Sequence, residues 1–166
     1  MVLPFPHEIY DDVTCITPQE LHRLGIKGLM LDIDGTLART KDPAPSEGVM
    51  AWLRLMKSSG IRLYILSNNK SPERTERYAS MIGCGWSHRS HKPSRKGFEK
   101  AQRELGLRPE ELAIVGDQIY TDVLGGLRCG TWTLMVQSTD TYLWYFPLRR
   151  LAELPFRFKR RGRKNG

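Results

Sequence analysis

Short continuous apolar runs alternate along the chain with longer segments in which apolar residues return every three or four positions. The runs Gly28–Ile33, Ile61–Leu66, Leu112–Val115 and Trp132–Val136 predict strands buried on both faces, with a weaker strand at Gly85–Ser87. Between them, Ser46–Ser59 carries Val49, Met50, Trp52, Leu53, Leu55 and Met56 on a helical period and stops at Gly60. Ser71-Pro72 opens a helix that ends near Gly83, and Ser94 caps one that runs to Gly106. Ahead of the first strand, Thr17-Pro18-Gln19-Glu20 is a capping box with proline at the first helical position, closed by Gly25. Strand and helix in alternation predict an α/β fold, a three-layer Rossmann-like parallel sheet with helices on both faces. In such a sheet ligands bind beyond the carboxyl ends of the strands.

Polar residues stand where the buried runs end. Asp32-Ile33-Asp34-Gly35-Thr36 closes the first, Ser67-Asn68-Asn69 the second, and Gly116-Asp117 the Leu112 run. A parallel sheet brings these ends together. Converging carboxylates repel unless a cation neutralises them, and a small set of hard oxygen ligands suits Mg2+, which keeps part of its octahedron for water and a phosphate oxygen. Phosphoryl transfer further needs a nucleophile in line, donors around the phosphate oxygens and a positive charge. Thr36 and Ser67 supply hydroxyls, Gly35 admits the backbone closely, and Lys92, just before Pro93 and Ser94, supplies the charge. Lys96, one turn into the following helix, is the competing lysine.

These motifs, DxDGT, a serine after the second strand, a lysine and then Gly116-Asp117-Gln118-Ile119-Tyr120-Thr121-Asp122, resemble in residue and order the haloacid dehalogenase superfamily of aspartate-nucleophile phosphatases. The resemblance implies that Asp32 attacks phosphorus and forms an aspartyl phosphate, while Asp34 protonates the leaving oxygen and later activates water. It implies Thr36, Ser67, Asn68 and Lys92 as phosphate ligands, and Asp32, Asp34, Asp117 and Asp122 as the Mg2+ site. For Asn68 and Asn69 an alternative is that one only holds its loop through side-chain to backbone bonds. The stretch from Asp34 to Ser67 holds one helix and one strand, and that from Ser67 to Lys92 largely one helix, so no cap domain fits and the site is open.

A finer pattern is similar to the YqeG-like branch of subfamily IIIA over roughly residues 5–150: Thr17-Pro18 with Leu21, Gly25-Ile26-Lys27-Gly28, Ser67-Asn68-Asn69, Lys92-Pro93, and Tyr120-Thr121-Asp122-Val123 with Gly125-Gly126. Gly35 and Leu127 depart from that branch, which carries Asn at both positions. Relatives in fungi and plants dephosphorylate phosphatidylglycerophosphate, so the resemblance implies an anionic phospholipid substrate.

Charge is unevenly placed. Of 26 Lys and Arg against 18 Asp and Glu, eight basic residues stand from Arg149 onward with Glu153 as the one acid among them. The pI of about 9.6 is therefore a property of the end of the chain, and the preceding body is nearly neutral. The division expected is a phosphatase domain over 1–142 and a basic aromatic tail over 143–166, where Trp144, Tyr145, Phe146, Phe156 and Phe158 lie among Arg and Lys. That mixture suits a membrane surface, although Pro147 and Pro155 forbid one long helix; packing of its first part on the sheet is the alternative. Rival functions are hydrolysis of a soluble sugar or nucleotide phosphate, and RNA or ribosome binding through the tail.

Mean hydropathy is −0.44 and no long apolar run occurs, which argues against a membrane-spanning helix. The first residues carry neither a signal-peptide nor a transit-peptide pattern. Cys15, Cys84 and Cys129 are odd in number and widely spaced, so no disulfide framework is expected and a cytoplasmic setting is the simplest reading. Cys84, His88 and His91 form a weak zinc-like cluster without a local fourth ligand, and Trp86 and Trp132 read as core aromatics. Oligomeric state is not legible.

Overall fold

The computed structural model describes residues 4–140. Six strands form one sheet: β1 Glu8–Tyr10, β2 Gly28–Leu31, β3 Arg62–Leu66, β4 Gly85–Ser87, β5 Leu112–Gly116 and β6 Trp132–Val136. Their order is β1-β6-β5-β2-β3-β4, and every pairing is parallel. The helices are α1 Pro18–Arg23, α2 Glu47–Ser58, α3 Pro72–Ile82, α4 Arg95–Leu105 and α5 Leu124–Arg128. All strands and helices read from the pattern are present. Not read from it are β1, the π-turn Ile119–Val123 with the short α5 that follows it, and the 3-10 turns Val13–Cys15 and Pro109–Glu111.

Because a strand's side chains alternate between faces, each apolar run supplies both layers. Leu29, Leu31, Leu63, Ile65, Ala113, Val115, Leu134 and Val136 face α1, α2 and α3, where Leu21, Trp52, Leu53, Met56, Tyr78 and Ile82 close the core. Met30, Tyr64, Leu66, Leu112 and Ile114 face α4 through Phe98, Ala101 and Leu105. Fully burying one such side chain is worth about 1.5–3 kcal/mol, so the two apolar faces, rather than helix propensity, hold the layers in place. Trp86 and Trp132 are half-buried against the first of these clusters.

Caps punctuate the helices as expected at three of four starts: Thr17, Ser46 and Ser71 each accept a bond from the backbone N–H three residues on. Ser94 occupies the N-cap position of α4, but its side chain makes no capping bond.

From central β2 the chain runs outward through β3 and β4, then returns to the other side of β2 to build β5 and β6. The switch point lies between β2 and β5, the place where an open parallel sheet leaves a crevice. Only a loop, α2 and β3 lie between Asp34 and Ser67, and only α3, β4 and loops between Ser67 and Lys92, so no cap is inserted. At the opposite rim, Lys27 Nζ meets Glu111 at 2.6 Å, Arg62 donates to the Leu105 carbonyl at 2.6 Å and Lys57 to the Ile82 carbonyl at 2.9 Å.

Among the described residues no helix is long and apolar enough to cross a membrane. The three cysteines are free. The expected boundary at 142/143 and the basic aromatic tail lie outside the described residues.

Candidate active site

The switch point gathers three carboxylates. Asp32 follows β2, its N–H still donating to the Val115 carbonyl of β5 at 3.0 Å, and Asp117 follows β5. Asp122 comes from the π-turn. That turn brings it back over Gly116 so closely that a Cβ there would lie 2.2 Å from the Asp122 Cγ. Its Oδ2 accepts from the Gln118 N–H at 3.2 Å, which fixes the carboxylate. Asp32, Asp117 and Asp122 are all buried, and one oxygen from each lies within 4.8 Å of the others.

Lys92 enters this cluster from the loop after β4. Its Nζ bonds Oδ1 of Asp32 and Oδ1 of Asp122, both at 2.7 Å, with 2% of its side chain exposed. Of the two candidate lysines it is the one in the cluster; Lys96 is exposed on α4. Burial works against the Lys92 charge, but Asp122 and Asp32 outweigh it and hold the amine well above its ordinary range. Burial also pushes the Asp32 carboxyl up to about 8 against the pull of Lys92, with Asp122 and Asp117 adding to the rise. Three buried carboxylates around one ammonium are thus short of positive charge.

Gly35 shapes the near wall. Its φ is +83°, and a Cβ would stand 2.5 Å from the Asp117 Oδ2, so both conformation and space demand glycine. The turn it belongs to holds the Thr36 N–H on the Ile33 carbonyl at 3.1 Å. The Thr36 hydroxyl is buried and has no hydrogen-bond partner among the described residues, while the residue also lines a cavity of about 430 Å³ bounded by Arg39 and Thr139. Ser67 is buried beside the cluster's strand ends, and its hydroxyl accepts from the Asn69 N–H at 3.0 Å.

Two expected ligands are placed differently. The Asp34 carboxylate does not join the three others: the turn after Ile33 directs it to Arg74, whose Nη2 and Nε donate to Oδ1 at 2.9 and 3.1 Å, and to Asn69, whose Nδ2 donates to Oδ2 at 2.8 Å. A metal role for its side chain is therefore not supported by this geometry. The Asn68 amide donates to the Lys92 carbonyl at 3.1 Å and accepts from the Lys92 N–H at 2.8 Å. Its side chain holds the lysine loop rather than standing free for phosphate, the alternative open for this pair of asparagines. Nor do Cys84, His88 and His91 converge as metal ligands; among the described residues the acidic trio is the group that does, and His88 instead lies against Trp86 with ring centroids 5.7 Å apart.

Arg74 was not legible as a site residue. It stands in the first turn of α3, which starts at the carboxyl end of β3, and there a lone arginine looks like a solvated charge. Here it also reaches the Arg39 carbonyl at 3.0 Å and lies 4.9 Å from the Tyr78 ring centroid. The signal was its place: the first turn of a helix leaving the carboxyl edge faces the crevice.

The comparisons with known proteins meet this geometry. A family model described as haloacid dehalogenase-like hydrolase matches residues 20–130, two-thirds of the chain. The chain belongs to that family. The Bacillus subtilis (strain 168) protein named "Probable phosphatase YqeG" is 32% identical over 160 residues, covering 95% of this chain and 92% of its own. An Arabidopsis thaliana protein, phosphatidylglycerophosphate phosphatase 1, chloroplastic/mitochondrial, is 25% identical across 97% of this chain, which spans 49% of that protein. The cobalt-bound deoxy-D-mannose-octulosonate 8-phosphate phosphatase YrbI of Haemophilus influenzae shares the fold with TM-score 0.56 at 14% identity, over 80% of this chain and 90% of its own. A Listeria monocytogenes serotype 4b structure does so with TM-score 0.58 at 18% identity, over 71% and 85%. The chain is a haloacid dehalogenase-type phosphatase.

The acidic trio suits a divalent cation by donor chemistry, since hard oxygens close together and short of positive charge are what such an ion requires. Gly116 is the position on which that arrangement most visibly rests. Gly116→Ala is expected to displace the Asp122 carboxylate and lower phosphatase activity about 100-fold, read as kcat/KM beside an unchanged circular dichroism spectrum.

Proposed function

We propose that the chain is a Mg2+-dependent phosphomonoester hydrolase that works through an aspartyl phosphate on Asp32 and acts on phosphatidylglycerophosphate at an anionic membrane surface. The observation that carries the chemistry is the Lys92 bracket. By gripping Oδ1 of Asp32 it leaves Oδ2 as the oxygen offered to phosphorus. Asp32, Asp117 and Asp122 would hold the cation, which when bound supplies the missing positive charge beside the phosphate.

In the first half-reaction Asp32 Oδ2 forms a bond to phosphorus as the ester P–O bond breaks, and Asp34 gives a proton to the departing oxygen. In the second, water attacks the same phosphorus, Asp34 takes a proton from it, and the bond from phosphorus to Asp32 breaks, releasing inorganic phosphate. Lys92, the Thr36 hydroxyl and Ser67 offer donors to the phosphate oxygens. Arg74 and Asn69 bond the two Asp34 oxygens and so hold its carboxyl group in one orientation for these transfers.

Arg74→Ala is expected to lower kcat by about tenfold or more on an alkyl phosphate, whose leaving oxygen needs a proton, and much less on p-nitrophenyl phosphate, whose leaving group does not. Equal losses on both esters would separate Arg74 from the handling of the leaving group.

The lipid assignment draws support from the plant relative's match along nearly the whole chain and from the uncapped mouth, which leaves room for a headgroup presented on a surface. The basic end of the chain suits the same surface. A soluble substrate is the second reading, favoured by a glyceraldehyde 3-phosphate phosphatase of Methanothermobacter thermautotrophicus that is 30% identical over 97 residues. Phosphate release in Mg2+ from phosphatidylglycerophosphate in anionic vesicles, measured beside soluble phosphomonoesters, separates the two. Preference for the vesicle lipid is expected; release from soluble esters alone would remove the lipid and keep the chemistry. Salt-sensitive RNA binding without any phosphate release would instead favour the nucleic-acid reading.

A further inference from the structure

The loop that delivers Lys92 has a second face. Its residues alternate: Ser90 and Lys92 point inward and are buried, while Arg89 and His91 are exposed. Both outward residues sit at positive φ, 45° and 51° respectively, a region non-glycine residues seldom occupy and which the surroundings must enforce. They do so through hydrogen bonds. The Arg89 N–H donates to the Asn69 carbonyl at 3.1 Å, the Ser90 N–H to the Ser67 carbonyl at 3.0 Å and the Ser94 N–H to the His91 carbonyl at 2.8 Å. The Ser87 and Ser90 hydroxyls meet at 2.9 Å. The outward display of Arg89 and His91 is thus built by the same loop contacts that aim Lys92 inward.

Between this loop and α4 lies a cavity of about 400 Å³, lined among others by His88, Arg89, His91, Ser94, Lys96 and Lys100. That is within the range of small-ligand pockets. Among the described residues no acidic one lines it. Lys100 has a distant partner in Glu104, at 3.7 Å, whereas neither Arg89 nor Lys96 has a carboxylate partner among the described residues. Ser94, whose hydroxyl is not spent on capping α4, adds a donor at the start of that helix. Cationic and hydroxyl residues thus line a space of small-molecule size, and one of them, His91, is the chain neighbour of the phosphate-site lysine.

We propose that this cavity is an anion subsite that takes a second phosphate group of the substrate, the phosphodiester in the case of phosphatidylglycerophosphate, while the terminal phosphomonoester sits at Asp32. The proposal rests on the hydrolase reading above and deepens it. An ester with two phosphates engages both sites, and a monophosphate engages one. Arg89 and Lys96 are then specificity residues, outside the reacting atoms.

The test pairs a kinetic and a binding measurement on the full chain, parent and R89A/K96A double variant; both side chains are exposed, so folding is preserved. The kinetic arm compares kcat/KM for short-chain, monomeric phosphatidylglycerophosphate and for glycerol monophosphate. The substitution is expected to lower the ratio between the two esters by about tenfold, mostly through KM of the two-phosphate ester. A loss shared equally by both esters, or no loss, overturns the proposal. A lipid surface is distinguished from the headgroup by repeating the ratio in anionic vesicles, and a deficit confined to vesicles overturns the subsite in favour of surface attraction. The binding arm titrates inorganic sulfate while following amide chemical shifts of His88, His91 and Ser94, which both proteins keep. Saturable shifts in the parent, absent in the variant, are expected; their absence in the parent overturns the subsite. If the parent hydrolyses neither ester, the hydrolase reading fails, and the sulfate titration still decides separately whether the cavity takes anions.

Discussion

Asp32→Asn is expected to abolish phosphate release, lowering the rate about 10⁴-fold or more while the protein stays folded. Asparagine keeps the shape of the side chain and its reach to Lys92, but its amide oxygen is not a nucleophile toward phosphorus. The fold survives because Lys92 keeps Asp122 at 2.7 Å. A further consequence separates this variant from one that merely disturbs the site. With the folded carboxyl raised from 3.8 to about 8, the folded protein holds a proton that the unfolded chain has given up across that interval. Metal-free stability of the parent therefore falls as pH rises through that interval, and the asparagine variant lacks this part of the fall. Thermal melts in a chelator across that pH window, compared with melts in Mg2+, check it. Parallel pH profiles for the two proteins in chelator would contradict the placement of Asp32 in a charge-starved cluster.

Lys92→Met is the second large effect, and it acts on stability and rate together. The ammonium is almost wholly buried and contacts two carboxylates, so its removal leaves three acids facing one another with no cation among them. Removing one partner of a buried ion pair costs about 3–5 kcal/mol, enough to unfold a marginal domain. Added Mg2+ is expected to restore much of the melting temperature, because a divalent ion relieves the same repulsion. It is not expected to restore the rate, which stays about 10²–10³-fold down for want of a donor to the phosphate oxygens. Recovery of both by the metal would mean that Lys92 serves only to neutralise the acids.

What was legible beforehand follows from where information sits in a chain. Buried parallel strands are continuous apolar runs, and their polar ends mark the crevice, so Asp32, Ser67 and Asp117 announced themselves. β1 did not, because Glu8–Tyr10 is three half-buried residues whose pairing with β6 is a tertiary event. The turn into α5 was hidden by Gly125-Gly126, poor helix formers on their own. They are used here because a Cβ on Gly125 would meet Phe98 at 2.5 Å and one on Gly126 would meet Ile114 at 2.6 Å. The resemblance placed Asp34 with Asp32 on a shared metal. The turn between them sends the two carboxylates apart, which periodicity cannot register once the strand has ended. Asn68 illustrates the same limit: its type suits a phosphate, and only the folded loop shows that the Lys92 backbone occupies it.

The rim opposite the crevice, knitted by Lys27 with Glu111 and by Arg62 with the Leu105 carbonyl, has a practical meaning. A strand of the length of β3 or β5 spans about 16 Å, so that rim stands a full sheet-length from the reacting atoms. A dye or a surface tether attached at Gly60 or Gly106 would leave the mouth facing outward, toward a supported bilayer or a flowing substrate. Immobilised in that orientation, the enzyme presents its chemistry to the interface, and attachment through the Arg39 or Arg89 loops would turn it to the wall.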